Sequence, residues 1–178
     1  MVATLIFLTV GNLIISQNLP TKELIRYPYY NSERIADSLI KNGWETKRVE
    51  LIADSNYIRR TWVKGRVKDN VKSYFIFYEF TKDSSENYII YQFSDRPAFL
   101  SYKSELKKIG YKLMNKKSRM KMKNTDIITY NEKEDIFYME KNNAVTIVEE
   151  VFIYGLNSFL IYSYKSNSAI AKYILFYH

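Results

Sequence analysis

The sequence predicts an α+β fold in which a helix packs on an antiparallel β-sheet, with this unit duplicated in tandem. Three observations predict it. Two apolar stretches at helical period each end at a glycine, Gly43 and Gly110. Each glycine is followed by strand-length runs rich in Tyr, Phe, Ile and Val. The two halves match one another at both ends. A chain of 178 residues makes one domain or at most two small ones, and 47% hydrophobic with 26% charged residues is the balance of a folded chain.

Residues 1–16, MVATLIFLTVGNLIIS, carry no charged side chain, and Gln17 opens a polar stretch. The run has the length of a signal-peptide core, falls short of the roughly 20 residues of a spanning helix, and is interrupted by Gly11 and Asn12. The expectation is a signal peptide over 1–16, cleaved near Ser16, with export to the periplasm, the cell surface or the medium. Membrane contact would then be transient, through the signal peptide alone. No Lys or Arg follows Met1, which an upstream start carrying positive residues would explain. A buried element of the mature fold and an uncleaved anchor are the alternatives.

Residues 17–30, with Pro20 and Pro28, read as an irregular N-terminal segment. A first helix-plus-sheet unit follows over 31–94. Its helix starts at Asn31 or Ser32, places Ile35, Ala36, Leu39 and Ile40 on one face, and stops at Gly43. Its strands are Lys47–Ala53, Tyr57–Val67, Lys72–Lys82 and Asn87–Phe93, the last two joined as a hairpin by residues 83–86.

The second unit covers 95–178. Ser94 or Asp95 caps a helix to Ile109, Pro97 suits its first turn, and Phe99, Tyr102, Leu106 and Ile109 fall at helical spacing before Gly110. Strands are expected at Tyr111–Lys123, Asp126–Tyr130, Ile136–Lys141, Ala144–Tyr154, Ser158–Tyr164 and Ala169–Tyr177, separated by turn-forming residues.

Leu39 to Trp44 aligns with Leu106 to Tyr111 at a shift of 67, and Tyr88 to Phe93 aligns with Phe159 to Tyr164 at a shift of 71. Similar shifts at both ends of a helix-then-strands unit point to an internal duplication. Over Asn31 to Tyr164 this arrangement resembles the tandem architecture of beta-lactamase inhibitor proteins. The resemblance is architectural and rests on no shared motif. It implies a concave, sheet-borne surface that grips a partner protein. That family's disulfides have no counterpart here, because the chain has no cysteine.

The net charge of +8 is concentrated. Between Lys103 and Lys123 stand nine positive residues against Glu105 alone, and the rest of the chain is neutral. Strand alternation places Lys117, Arg119, Lys121 and Lys123 on one face. Like charges at that spacing repel unless an anion or interleaved carboxylates accept them. Lys103, Lys107, Lys108, Lys112, Lys117, Arg119, Lys121 and Lys123 are therefore the candidate anion- or partner-binding residues. Edge-strand protection, complementing a helix C-terminus and a lysine-rich coding bias explain the same residues without a ligand.

Seventeen tyrosines and ten phenylalanines are unusual for this length, and a core plus the Tyr-rich outer face of a sheet accounts for them without a ligand. In Lys72–Lys82 one face reads Tyr74, Ile76, Tyr78, Phe80 and the other Phe75, Phe77, Glu79, Thr81. A strand apolar on both sides is covered on both, or presents a sticky face. Nucleic acid is not the expected partner, since the densest aromatics and the densest lysines lie in different halves.

The chemistry available is narrow. No cysteine excludes thiol catalysis and cysteine-ligated metals, and His178, at the last position, is the sole histidine. Ser104-Glu105-Leu106-Lys107 and Ser118-Arg119-Met120-Lys121 match Ser-x-x-Lys, as chance allows in a chain rich in both residues. Glu149 and Glu150, adjacent on a strand, point to opposite faces. Glu132, Glu134 and Asp135 read as a solvated turn. No cofactor and no metal are expected.

The functional expectation is a non-catalytic exported bacterial binding protein. It would contact an unknown protein or anionic envelope component as an inhibitor, an immunity-like protein or part of an envelope complex. A structural envelope protein binding anionic lipid or lipopolysaccharide is the alternative, and a hydrolase using carboxylates stands third.

Overall fold

Asn31 and Asp95 begin two helices in the same way. The Asn31 side chain accepts from the Arg34 amide at 3.0 Å, and the Asp95 side chain accepts from the Ala98 amide at 3.1 Å. Each cap satisfies one of the amides a helix start leaves free. Both helices also end alike. Gly43 and Gly110 lie at φ +76° and +98°, where a side chain would be strained. The Trp44 amide reaches back to the Leu39 carbonyl at 3.0 Å, and the Tyr111 amide to the Leu106 carbonyl at 2.9 Å. These bonds close matching left-handed stops.

In the computed structural model, residues 19–52, 56–67, 70–82, 87–114, 135–153, 156–165 and 168 are described. They form helices α1 (Thr21–Leu24), α2 (Ser32–Lys41) and α3 (Arg96–Lys108), a 3₁₀ turn at Tyr27–Tyr29, and eight strands. The strands are β1 (Glu45–Leu51), β2 (Tyr57–Val67), β3 (Asn70–Phe80), β4 (Tyr88–Phe93), β5 (Lys112–Leu113), β6 (Ile136–Lys141), β7 (Ala144–Ile153) and β8 (Leu156–Lys165). The α+β class with an antiparallel sheet is as the sequence predicts. The expected strands at Asp126–Tyr130 and Ala169–Tyr177, most of Tyr111–Lys123, and the leader at 1–16 lie outside the described residues.

All eight strands join one antiparallel sheet in the order β1-β2-β3-β4-β8-β7-β6-β5. The order places β1–β4 and β5–β8 on either side of one central pairing. Each half runs from an outer edge inward, and the halves meet where β4 pairs with β8. Starting at the two glycine turns and following direct ladder partners inward, Trp44 corresponds to Tyr111, Trp62 to Phe137, Phe75 to Val148 and Tyr91 to Ile161. All eight side chains belong to one core.

On β4 and β8 this correspondence is a shift of 70, whereas the sequence match gives 71. The difference inverts the face, because side chains alternate along a strand. Ile89 lies in the core beneath the helices, and Leu160 packs in the cluster on the other side.

The core lies between the sheet and the helices. Ile35 and Leu39 from α2 and Phe99, Tyr102 and Leu106 from α3 pack with Phe75, Phe77, Ile89, Tyr91, Phe93, Phe159 and Ile161. Ile40, expected on the buried stripe of α2, is 57% exposed. Its position lies about 100° around the helix from Leu39, beyond the edge of the contact.

The reading of 17–30 as irregular is corrected over its described part. Residues 19–30 carry α1 and the 3₁₀ turn, and Leu19, Thr21, Leu24, Tyr27 and Pro28 are buried. Pro20 stands at the start of α1 and Pro28 within the first positions of the 3₁₀ turn, where a missing N–H costs nothing. The segment is tied to both halves. The Leu19 amide donates to the Tyr91 hydroxyl at 3.3 Å, and the Leu19 carbonyl accepts from Tyr102. The Tyr29 hydroxyl meets Thr146 and accepts from Ser163 at 2.8 Å.

Candidate partner-binding surface

Direct ladder partners share a face, so the register divides the sheet into two sides. The helices cover one. The other differs between its halves. On the β5–β8 half, Met114, Ile136, Tyr138, Val145, Ile147 and Tyr162 form a second buried cluster. On the β1–β4 half, Tyr57, Tyr74, Ile76, Tyr78, Phe80, Tyr88 and Ile90 are half-buried. Large apolar rings and branched chains there retain part of their surface in water.

The rings are ordered against one another. Tyr78 and Tyr88 stack with centroids 4.4 Å apart and planes at 11°, and Tyr57 lies edge-on to Tyr88 at 5.6 Å. Arg59 stands opposite Tyr78 in the β2–β3 ladder, Tyr78 and Glu50 raise its pKa, and its guanidinium holds Glu50. Burial pushes the Tyr88 hydroxyl well above its ordinary range, and the neighbouring Tyr78 and Tyr57 add to this while Arg59 opposes it.

Beside this cluster runs a groove of about 360 Å³. Tyr74, Ile76, Gln92 and Leu156 line it together with Lys47, Arg48, Glu50, Arg59 and Thr61. A register shift between Thr46 and Arg48 interrupts the β1 ladder at Lys47, and the Lys47 ammonium lies 5.0 Å from the Tyr74 ring centroid. Gln92 is buried and donates from Nε2 to the Ser158 hydroxyl at 3.3 Å, so its amide is fixed. Such a site can hydrogen-bond an anion at one end and pack an apolar or planar group along its floor.

The sequence-predicted site residues divide. Lys103 is not a free cation: its ammonium sits 2.7 Å from Asp135 and 2.8 Å from Glu150. Burial lowers its pKa, but hydrogen bonds to the two carboxylates outweigh this and the net shift is upward. Asp135, expected in a solvated turn, is the other end of this pair, and its carbonyl accepts from the Glu150 amide at 2.9 Å. Lys107 and Lys108, in the last turn of α3, and Lys112 on β5 are exposed. Lys117, Arg119, Lys121 and Lys123 lie outside the described residues.

The Lys103 triad fastens α3 to β7, since removing it leaves two partly buried carboxylates facing each other. Lys103→Met is expected to cost about 1–2 kcal/mol, between the values for surface and buried pairs. Lys107→Met should stay within about 0.5 kcal/mol. The Lys103 contribution is present below the ordinary lysine pKa and is lost as pH rises through the higher folded value. Urea denaturation of the two variants at neutral and alkaline pH checks both statements.

Sequence reasoning passed over Lys47, Arg48, Arg59 and Gln92. Arg59 lies between Tyr57 and Thr61 at strand spacing, and that alternation was the available clue. Lys47, at a bulge, had none.

Other carboxylates are dispersed. Glu149 is buried on the opposite face from Glu150 and accepts from the Tyr162 hydroxyl at 3.4 Å. Glu105 accepts from the Thr21 hydroxyl at the wall of a larger cavity, about 790 Å³, which Lys41, Lys64 and Tyr102 also line. Among the described residues no three His, Cys, Asp or Glu converge on a metal position, and no helix is long and apolar enough to cross a membrane.

The chain matches no protein-family model, no curated protein and no solved structure.

Proposed function

We propose that the protein is a non-catalytic exported binding module that holds a partner protein on the open β1–β4 face of its sheet. The observation that carries this reading is the row of half-buried Tyr74, Ile76, Tyr78 and Tyr88 beside Arg48 and Arg59. Tyrosine and arginine combine apolar contact with hydrogen bonding at low cost in order, as protein interfaces do. The rings are already packed against one another, so binding would need little further ordering.

The strand order, β1–β4 and β5–β8 each running inward to one central pairing, and the core-to-core correspondence of the halves support an origin by tandem duplication of one helix-plus-sheet unit. They also support the architectural likeness to beta-lactamase inhibitor proteins, and with it an inhibitor, immunity-like or envelope-complex role. Export rests on the uncharged run at 1–16. A second reading has exposed Lys107, Lys108 and Lys112 favouring contact with anionic lipid or lipopolysaccharide head groups.

The test uses the tagged mature chain as bait in envelope extract, followed by mass spectrometry and reconstitution with the purified prey. A one-to-one complex that survives high salt and is lost in Tyr74→Ser with Ile76→Thr is the expected result. Association with anionic vesicles alone, abolished by Lys107→Glu with Lys108→Glu, would replace this reading with the second.

A further inference from the structure

We propose that the groove across β1, β2, β3, β4 and β8 takes an extended acidic peptide segment of the protein partner. This deepens the reading above and rests on it.

The lining crosses the sheet rather than closing round one point. The lining runs from Arg48 on β1 through Arg59 on β2, Tyr74 on β3 and Gln92 on β4 to Leu156 on β8. Those are five consecutive strands of the sheet. At about 4.8 Å between neighbours the groove is roughly 19 Å long, the reach of about six extended residues. A single head group would fill one end and leave the rest of the floor in water.

The charge is polarised along that length. Lys47, Arg48 and Arg59 stand at the β1–β2 end, and Glu50 is the sole acidic group among the lining residues. Glu50 already holds both arginines. Arg59 commits Nε and Nη2 to it. Arg48 is 64% exposed and contacts Glu50 through Nη2, which leaves the rest of its fork facing solvent. Lys47 adds a second reachable cation above the Tyr74 ring. Lys47 and Arg48, with Glu50 already held by the two arginines, favour incoming carboxylates at this end.

The remainder of the floor suits a peptide. Tyr74 and Ile76 offer apolar surface, and the Gln92 amide, held by Ser158, presents fixed polar atoms to a main chain. A segment bearing acidic residues at one end and apolar ones at the other would meet each group with its complement.

Fluorescein-labelled hexaglutamate and hexaglutamine peptides, read by anisotropy against the full mature chain, test this. Hexaglutamate should bind in a salt-sensitive manner and hexaglutamine should not. Lys47→Glu with Arg48→Glu should weaken hexaglutamate roughly ten-fold or more, while Lys107→Glu with Lys108→Glu leaves it within about two-fold. Lys47→Ala with Arg48→Ala, at exposed positions of an edge strand, gives an intermediate loss and guards against misfolding of the reversed variant. No hexaglutamate binding, or binding lost in the Lys107 and Lys108 variant alone, overturns the proposal. So does binding of phosphatidylglycerol vesicles that disappears with the groove charges, since the groove would then hold head groups. A partner complex that needs Tyr74 and Ile76 while hexaglutamate neither binds nor competes would remove the acidic segment and leave the sheet-face reading standing.

Discussion

Phe159→Ala is expected to destabilise the protein by about 3–5 kcal/mol, the range for deleting a large buried ring. Phe159 is fully buried on β8, directly opposite Tyr91 where β4 meets β8. It stacks on Phe99 of α3 at 4.7 Å and 14°, and its ring lies 5.8 Å from Tyr102 and 6.1 Å from Phe93. One side chain thus joins the two inner strands to α3. A domain has only about 5–15 kcal/mol of total stability, so the loss is a large share and should lower Tm by roughly 6–20 °C. Phe152→Ala, at a ring 65% exposed on β7, should stay within about 0.5 kcal/mol. A Phe159→Ala protein that melts with the parent would mean the halves do not meet as described.

Alkaline pH should produce the second large effect. Tyr27, Tyr91, Tyr102, Tyr111 and Tyr162 are buried, and burial is the leading cause that pushes each hydroxyl up. Tyr27 reaches about 12. At Tyr162 the Glu149 carboxylate adds to the rise. In the unfolded chain these hydroxyls ionise near pH 10. Above that pH the unfolded state binds fewer protons than the folded one, so stability falls as pH rises towards the folded values; below it, this contribution is constant. Each tyrosine contributes at most about 1.4 kcal/mol per pH unit, and the five together roughly 7. The ultraviolet titration of tyrosinate should therefore show an early exposed class and a late class that appears together with loss of the circular-dichroism signal. A single smooth titration near pH 10 with the fold intact would contradict the burial of these rings.

Much of the fold is local chemistry and was legible. The strands Tyr57–Val67 and Ile136–Lys141 fall where alternation and turn residues place them. Gly43 and Gly110 end their helices because only a left-handed residue lets the next amide reach back. What failed was long-range. The segment over 19–30 looks irregular because Pro20 and Pro28 are poor interior helix residues, yet both occupy starting positions, and distant Tyr91 and Tyr102 supply the bonds that bury it. The offset of one residue between β4 and β8 is set by ladder register, which sequence similarity between tyrosine-rich strands does not encode.

The site was legible in part. The face bearing Tyr74, Ile76 and Tyr78 follows from period two alone. Arg59 shares a face with Tyr57 and Thr61 by the same rule, but its place beside Tyr78 depends on which strands become neighbours. Lys103 belonged by sequence to the basic run, but folding lays α3 on the sheet face that carries Glu150 and brings Asp135 beside it. Counting charges along a chain cannot separate a cation spent inside the fold from one left on its surface.

Hydroxyl-radical footprinting of the protein alone and in its reconstituted complex tests whether the partner sits on the open β1–β4 face. Protection of Tyr74, Tyr78 and Tyr88, with unchanged labelling of exposed Leu100 on α3 and Phe152 on β7, is the predicted result. Protection centred on Leu100 and the α3 surface, with those three tyrosines labelled as in the free protein, would contradict it.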